Sequence, residues 1–75
     1  MERKYVLAHD LGTTGDKAIL FDMESGSAVG SAFTPYPTEY PSATQAEQDP
    51  NDWWEAFCRA TREVLTRTGI SPDGI

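Results

Sequence analysis

Apolar and polar positions along the chain fall into five blocks. Residues 4–9, KYVLAH, are short and apolar and end at the polar turn GTTG. They predict a strand buried on both faces. Residues 16–22, DKAILFD, predict a second strand, and MESG after it a tight loop in which Gly26 supplies a positive φ. Residues 27–34, SAVGSAFT, predict a third strand, weakened where Gly30 interrupts it. Connections this short between successive strands imply an antiparallel meander. Residues 35–48, PYPTEYPSATQAEQ, hold three prolines and predict an extended loop, with Tyr36 and Tyr40 placed to pack against something.

A helix is predicted over 50–68. Asp49 is suited to cap it, Pro50 to open it, Asp52 to complement its first turn and Gly69 to stop it. Trp53, Trp54, Phe57, Cys58, Thr61, Val64 and Leu65 share a broad face, whose aromatics are expected to pack in the core or between domains. Glu55 and Arg59 are four apart in the favourable order. Ser71 and Pro72 would begin a further element. A meander, a helix and the start of another element predict the first part of an α/β domain belonging to a longer protein.

Composition narrows the partners. Six basic residues against twelve acidic ones give a formal charge of −6 over 75 residues, which argues against nucleic acid and anionic membrane. The first residues form neither a signal peptide nor a membrane span. One cysteine, Cys58, allows no internal disulfide and suits a reducing, cytoplasmic compartment. A chain this short buries only about 60% of its unfolded surface, so its core is small.

The candidate chemistry lies in HDLGTTGDK, residues 9–17. A phosphate needs converging backbone N–H groups and small residues that let it approach. Gly12 and Gly15 clear the turn of side chains, and Thr13 and Thr14 add hydroxyls. Asp10 can hold a hydrated Mg²⁺, and Lys17 can reach a phosphate as a point charge. The plain alternative is a hairpin turn with good turn residues. Neither the P-loop nor the dinucleotide-binding glycine spacing is present.

DLGTTGDKAILFD resembles the first phosphate-binding hairpin of the sugar kinase and actin superfamily. YPTEYPSATQAEQDPNDWWEA resembles the FGGY carbohydrate kinases, most closely their xylulokinase branch. The resemblance implies a ribonuclease H-like (actin-like ATPase) fold, of which residues 1–75 would be the N-terminal part of the first kinase domain. It implies ATP-dependent phosphorylation of a sugar hydroxyl, D-xylulose giving xylulose 5-phosphate, with glycerol, gluconate and ribulose kinases as alternatives. Asp10 would then serve Mg²⁺, and Gly12, Thr13, Thr14 and Lys17 the ATP phosphates. The general-base Asp, the adenosine site and the sugar segment would lie beyond Ile75, leaving residues 1–75 inactive alone.

Three positions depart from the family pattern. His9 replaces an aliphatic and is expected to be packed or hydrogen-bonded. Gly15 replaces a serine. Asp16 is expected to bring negative charge toward the phosphate site. A non-catalytic nucleotide-binding scaffold of the same superfold, and a metal-dependent nuclease, are the competing readings. A lone 75-residue chain is expected to self-associate through its open edge and apolar face, and a homodimer is compatible with the full-length protein.

Overall fold

The computed structural model describes residues 3–42 and 45–75. Its order is β1 (Tyr5–Leu11), β2 (Gly15–Asp22), β3 (Ala28–Pro35), β4 (Glu39–Ser42), β5 (Gln45–Glu47), α1 (Pro50–Thr68) and a 3₁₀ turn (Pro72–Gly74). β1, β2 and β3 form an antiparallel sheet in that spatial order. The meander and the helix stand where the residue pattern predicts them. β4 and β5 form a separate small hairpin inside the stretch expected to be one extended loop.

One face of the sheet carries the core. The register Leu7↔Leu20, His9↔Ala18 and Leu11↔Asp16 aligns alternate residues of β1 and β2, and Leu20↔Gly30 with Ala18↔Ala32 extends that face to β3. Helix α1 lies across it through Ala60 and Val64, with Tyr5, Leu7, Ile70 and Ile75 at the margins. Leu20 and Val64 are fully buried, so truncating Leu20 to Ala would cost about 3 kcal/mol.

The buried stripe of the helix is Ala56, Ala60 and Val64; Val64 belongs to the face expected from the sequence, whereas the tryptophans of that face lie outside this core. Trp54 is 66% exposed and Trp53 38%. Small residues win because they let the helix sit close to the sheet. Gly30 belongs to the same seam: a Cβ there would lie 2.4 Å from Thr68 Cγ2. It marks the helix's approach to β3 rather than a weakness in the strand. β3 also bulges between Leu20 and Phe21 of its partner.

β1 alternates between half-buried and exposed residues, which corrects the expectation of burial on both faces. The single helix covers one face only. On the other, Val6, Val29 and Phe33 are each 43–47% exposed.

Caps fix the helix ends. Asp49 accepts from the Asn51 N–H, Pro50 opens the first turn, and Gly69 ends it at φ 69° with its N–H on the Leu65 carbonyl. The ion pair on the helix surface is Glu63–Arg67, 2.5 Å apart, while the expected Glu55–Arg59 pair does not form among the described residues. Ser71 caps the terminal 3₁₀ turn, and the Gly74 carbonyl accepts from the Lys4 N–H at the entrance to β1. No helix among the described residues is long and apolar enough to cross a membrane.

Candidate functional site

Residues 12–14 join β1 to β2, and the Gly12 N–H closes the turn on the Gly15 carbonyl at 3.0 Å. Three consecutive carbonyls of this turn are held from one side by the segment 36–48. The Tyr36 hydroxyl donates to the Gly12 carbonyl. The Gln48 side-chain amide donates to the Thr13 carbonyl at 2.8 Å. The Tyr36 N–H donates to the Thr14 carbonyl at 3.3 Å. Thr38 Oγ1 stands 3.5 Å from the Thr13 carbonyl, too far to add much.

The described peptides are all trans. In a trans peptide the N–H points opposite to the carbonyl before it. Tying the Gly12 and Thr13 carbonyls toward 36–48 therefore turns the Thr13 and Thr14 N–H groups the other way. Among the described residues neither N–H meets an acceptor, and neither threonine hydroxyl has a partner. Gly12, Thr13 and Thr14 are exposed. The turn thus presents unused donors on one side only.

Asp10 and Lys17 face each other across the β1–β2 ladder. Both are exposed, and among the described residues they make no ion pair. They belong to the sheet face that the helix leaves open, because they alternate with His9 and Asp16 on the covered face. The structure therefore gathers Asp10, Gly12, Thr13, Thr14 and Lys17 at one end of the hairpin, as the spacing predicts. No group of three or more metal-binding side chains occurs among the described residues. A lone carboxylate at Asp10 fits Mg²⁺, which keeps several waters and takes its other ligands from phosphate.

Asp16 departs from expectation. It is fully buried on the helix side and pairs with His9 through an Oδ2···Nδ1 contact of 2.5 Å. His9 Nε2 lies 3.0 Å from Thr61 Oγ1, whose hydroxyl donates to the Phe57 carbonyl at 2.8 Å. Since that hydroxyl spends its proton on Phe57, Nε2–H of His9 donates to it. The imidazole stacks on Phe57 with centroids 3.7 Å apart. His9 is thus packed and hydrogen-bonded, tying the hairpin to α1 from below.

Gly15 also serves packing. A Cβ there would lie 2.5 Å from the Thr34 carbonyl and 2.6 Å from the Phe33 ring. Gly12 has no such neighbour; its nearest is the Gly15 carbonyl at 3.7 Å. Burial, then the Asp16 and Asp10 carboxylates, push the Tyr36 hydroxyl above its ordinary range near 10.0. Tyr36 consequently remains a donor to Gly12 at neutral pH.

Sequence reasoning found the residues that present donors and charge, and it missed how the turn is held. Tyr36 was expected only to pack, and Gln48 was not foreseen as a tether of the turn. The single signal was their position in an unusually long loop close to the helix cap.

The model of the FGGY family of carbohydrate kinases, N-terminal domain, matches residues 5–75. A glycerol kinase of Alkaliphilus metalliredigens is 45% identical over 73 residues, covering 97% of this chain and 14% of that protein. Glycerol kinases of Synechocystis sp. and Thermococcus onnurineus are 43% and 39% identical over 72 residues, 96% of this chain and 14% of theirs. The chain thus spans about 14% of the length of these relatives. All three are glycerol kinases, so the xylulokinase branch gains no support from them. With a Gly-Thr-Thr turn at the head of a β-meander and a match running from Tyr5 to Ile75, the chain belongs to the FGGY family of carbohydrate kinases.

Proposed function

We propose that residues 1–75 supply part of the ATP phosphate site of a carbohydrate kinase whose acceptor is a small polyol or sugar, glycerol being the first to test. The observation that supports this most is the one-sided tethering of the turn. Its carbonyls are occupied by Tyr36 and Gln48, and among the described residues its Thr13 and Thr14 N–H groups and hydroxyls meet no partner, beside an Asp10 and a Lys17 that make no ion pair there. A turn that only reversed the chain would have no need of this arrangement.

Thr13 and Thr14 would donate to phosphate oxygens through backbone and hydroxyl, and Lys17 would add positive charge. Asp10 would hold Mg²⁺. When bound, that ion would neutralise charge developing on the phosphates during transfer. Gly12 would keep the approach clear. The open sheet face and the outer edge of β1 would be covered by the remainder of a ribonuclease H-like domain. The 75-residue chain alone would then self-associate and lack transfer activity, since phosphoryl transfer needs groups positioned on both sides of the reacting phosphate.

The test is a coupled assay of ADP release by the full-length protein with Mg²⁺, ATP and, separately, glycerol and D-xylulose. Phosphorylation of glycerol is the expected result. ATP-dependent transfer to xylulose alone would restore the branch suggested by the Tyr-Pro loop. Failure to bind ATP would leave the turn as a simple hairpin connection.

A further inference from the structure

We infer that Gln48 is a positioning residue: its side-chain amide sets the plane of the Thr13–Thr14 peptide and so aims the Thr14 N–H at nucleotide phosphate. This rests on the phosphate reading of the turn, and adds a residue to which neither the motif nor the family match gives a role.

The orientation of the Gln48 amide follows from its partners. A carbonyl can only accept, so the group 2.8 Å from the Thr13 carbonyl is Nε2. An indole N–H can only donate, so the group 3.2 Å from Trp53 Nε1 is Oε1. The second Nε2 proton goes to Thr38 Oγ1 at 2.8 Å. Both donors and one acceptor position are used, and the amide cannot flip without losing its bonds to the Thr13 carbonyl and the Trp53 indole. Its base is equally fixed. Gln48 directly precedes the N-cap Asp49, whose carbonyl accepts from the Asp52 N–H at 2.9 Å. Gln48 is therefore a strut from the capped end of α1 to the middle of the turn.

The strut acts on one peptide. Tyr36 grips the carbonyls on either side of it, at Gly12 and Thr14. Without Gln48 the Thr13–Thr14 peptide would be held only by its neighbours and the long Thr38 contact, free to rotate its N–H away from the open side. Gln48 touches no reacting atom in this scheme, and its influence passes through the backbone. Loss of the strut should therefore weaken nucleotide binding and leave the carbohydrate acceptor unaffected.

The experiment uses the full-length protein carrying Gln48→Glu, Gln48→Met or Trp53→Phe. ATP binding is measured by calorimetry in EDTA, and KM for ATP and for the acceptor by steady-state assay. Gln48→Glu keeps the shape, removes the donor and sets a carboxylate against a carbonyl. It should raise the ATP dissociation constant and the KM for ATP about tenfold, with the acceptor KM unchanged. Gln48→Met should act in the same direction but less, and Trp53→Phe least, because the Nε2 bonds survive. Should Gln48→Glu fail to fold, the other two carry the same ordering. An unaltered ATP dissociation constant in folded Gln48→Glu or Gln48→Met, or equal rises in both KM values, would overturn the inference. Absence of ATP binding by the unsubstituted protein would overturn the phosphate reading itself, and shows before any substitution is made.

Discussion

The β2–β3 turn closes on its own residues. Asp22 Oδ1 accepts from the Glu24 and Ser25 N–H groups, the Asp22 carbonyl accepts from Gly26, and Ser25 Oγ accepts from Ser27. Gly26 provides the left-handed φ of 72° that the reversal demands. The β1–β2 turn has no positive φ, and its carbonyls are bound by residues 24 and 35 positions away. Both turns reverse a strand, and both follow a strand bearing an aspartate near its end. One uses its donors internally, and the other leaves the Thr13 and Thr14 N–H groups without an acceptor among the described residues. Counting where a turn's hydrogen bonds go separates a connection from a candidate binding site better than its composition does, since Gly, Asp and hydroxyl residues fill both.

Substituting the two aspartates should break the symmetry most sharply. Asp10→Ala in the full-length protein should lower kcat about a hundredfold, some 3 kcal/mol of transition-state stabilisation, with the melting temperature nearly unchanged. Asp22→Ala should leave kcat alone and cost about 1 kcal/mol of stability through the lost turn bonds. Equal kcat in the two variants would erase the distinction.

The glycines give a finer contrast. Gly15→Ala should destabilise by roughly 2 kcal/mol, since its Cβ would meet the Thr34 carbonyl and Phe33. Gly26→Ala should cost about 1 kcal/mol through backbone strain, without touching activity. Gly12→Ala meets nothing closer than 3.7 Å, so its melting temperature should match wild type while its KM for ATP rises. Chemical denaturation paired with kinetics separates the three.

The smallest effect is alkaline. The folded state raises the Tyr36 pKa, chiefly by burial, so it favours the protonated hydroxyl. That contribution is fully present below the unfolded value near 10 and is lost as pH rises through the higher folded value. The stability difference between wild type and Tyr36→Phe should stay constant up to about pH 10 and shrink above it. A difference that grows with alkalinity would contradict the assignment.

Helix α1 spans the predicted residues, and the three long strands start and end within two residues of prediction. Gly, Pro and Asp punctuate those boundaries, and such signals act locally. The face of the helix was not legible. Aromatic residues dominate any estimate of apolar periodicity, yet the core around Ala18 and Ala32 takes Ala60 and Val64 from the helix. The β4–β5 hairpin was hidden because its strands are only four and three residues long, the first holding a proline, and show no alternation. Asp10, Thr13, Thr14 and Lys17 were legible as a set because they are close in sequence. Asp16 was misjudged because its partners, His9 and Thr61, come together only through strand pairing and helix docking.

The remote anchors of the β1–β2 turn have a consequence for how the chain acquires its shape. The hairpin itself is local and can form early, within microseconds. Its tethers cannot: Tyr36 must close a loop of 24 positions and Gln48 one of 35, and contacts of wide sequence separation are made late. During synthesis the turn would emerge before the residues that hold its carbonyls. On the proposed phosphate reading, affinity for nucleotide would then switch on only after the helix cap has docked, making ligand capture a marker of finished folding rather than of the motif's presence.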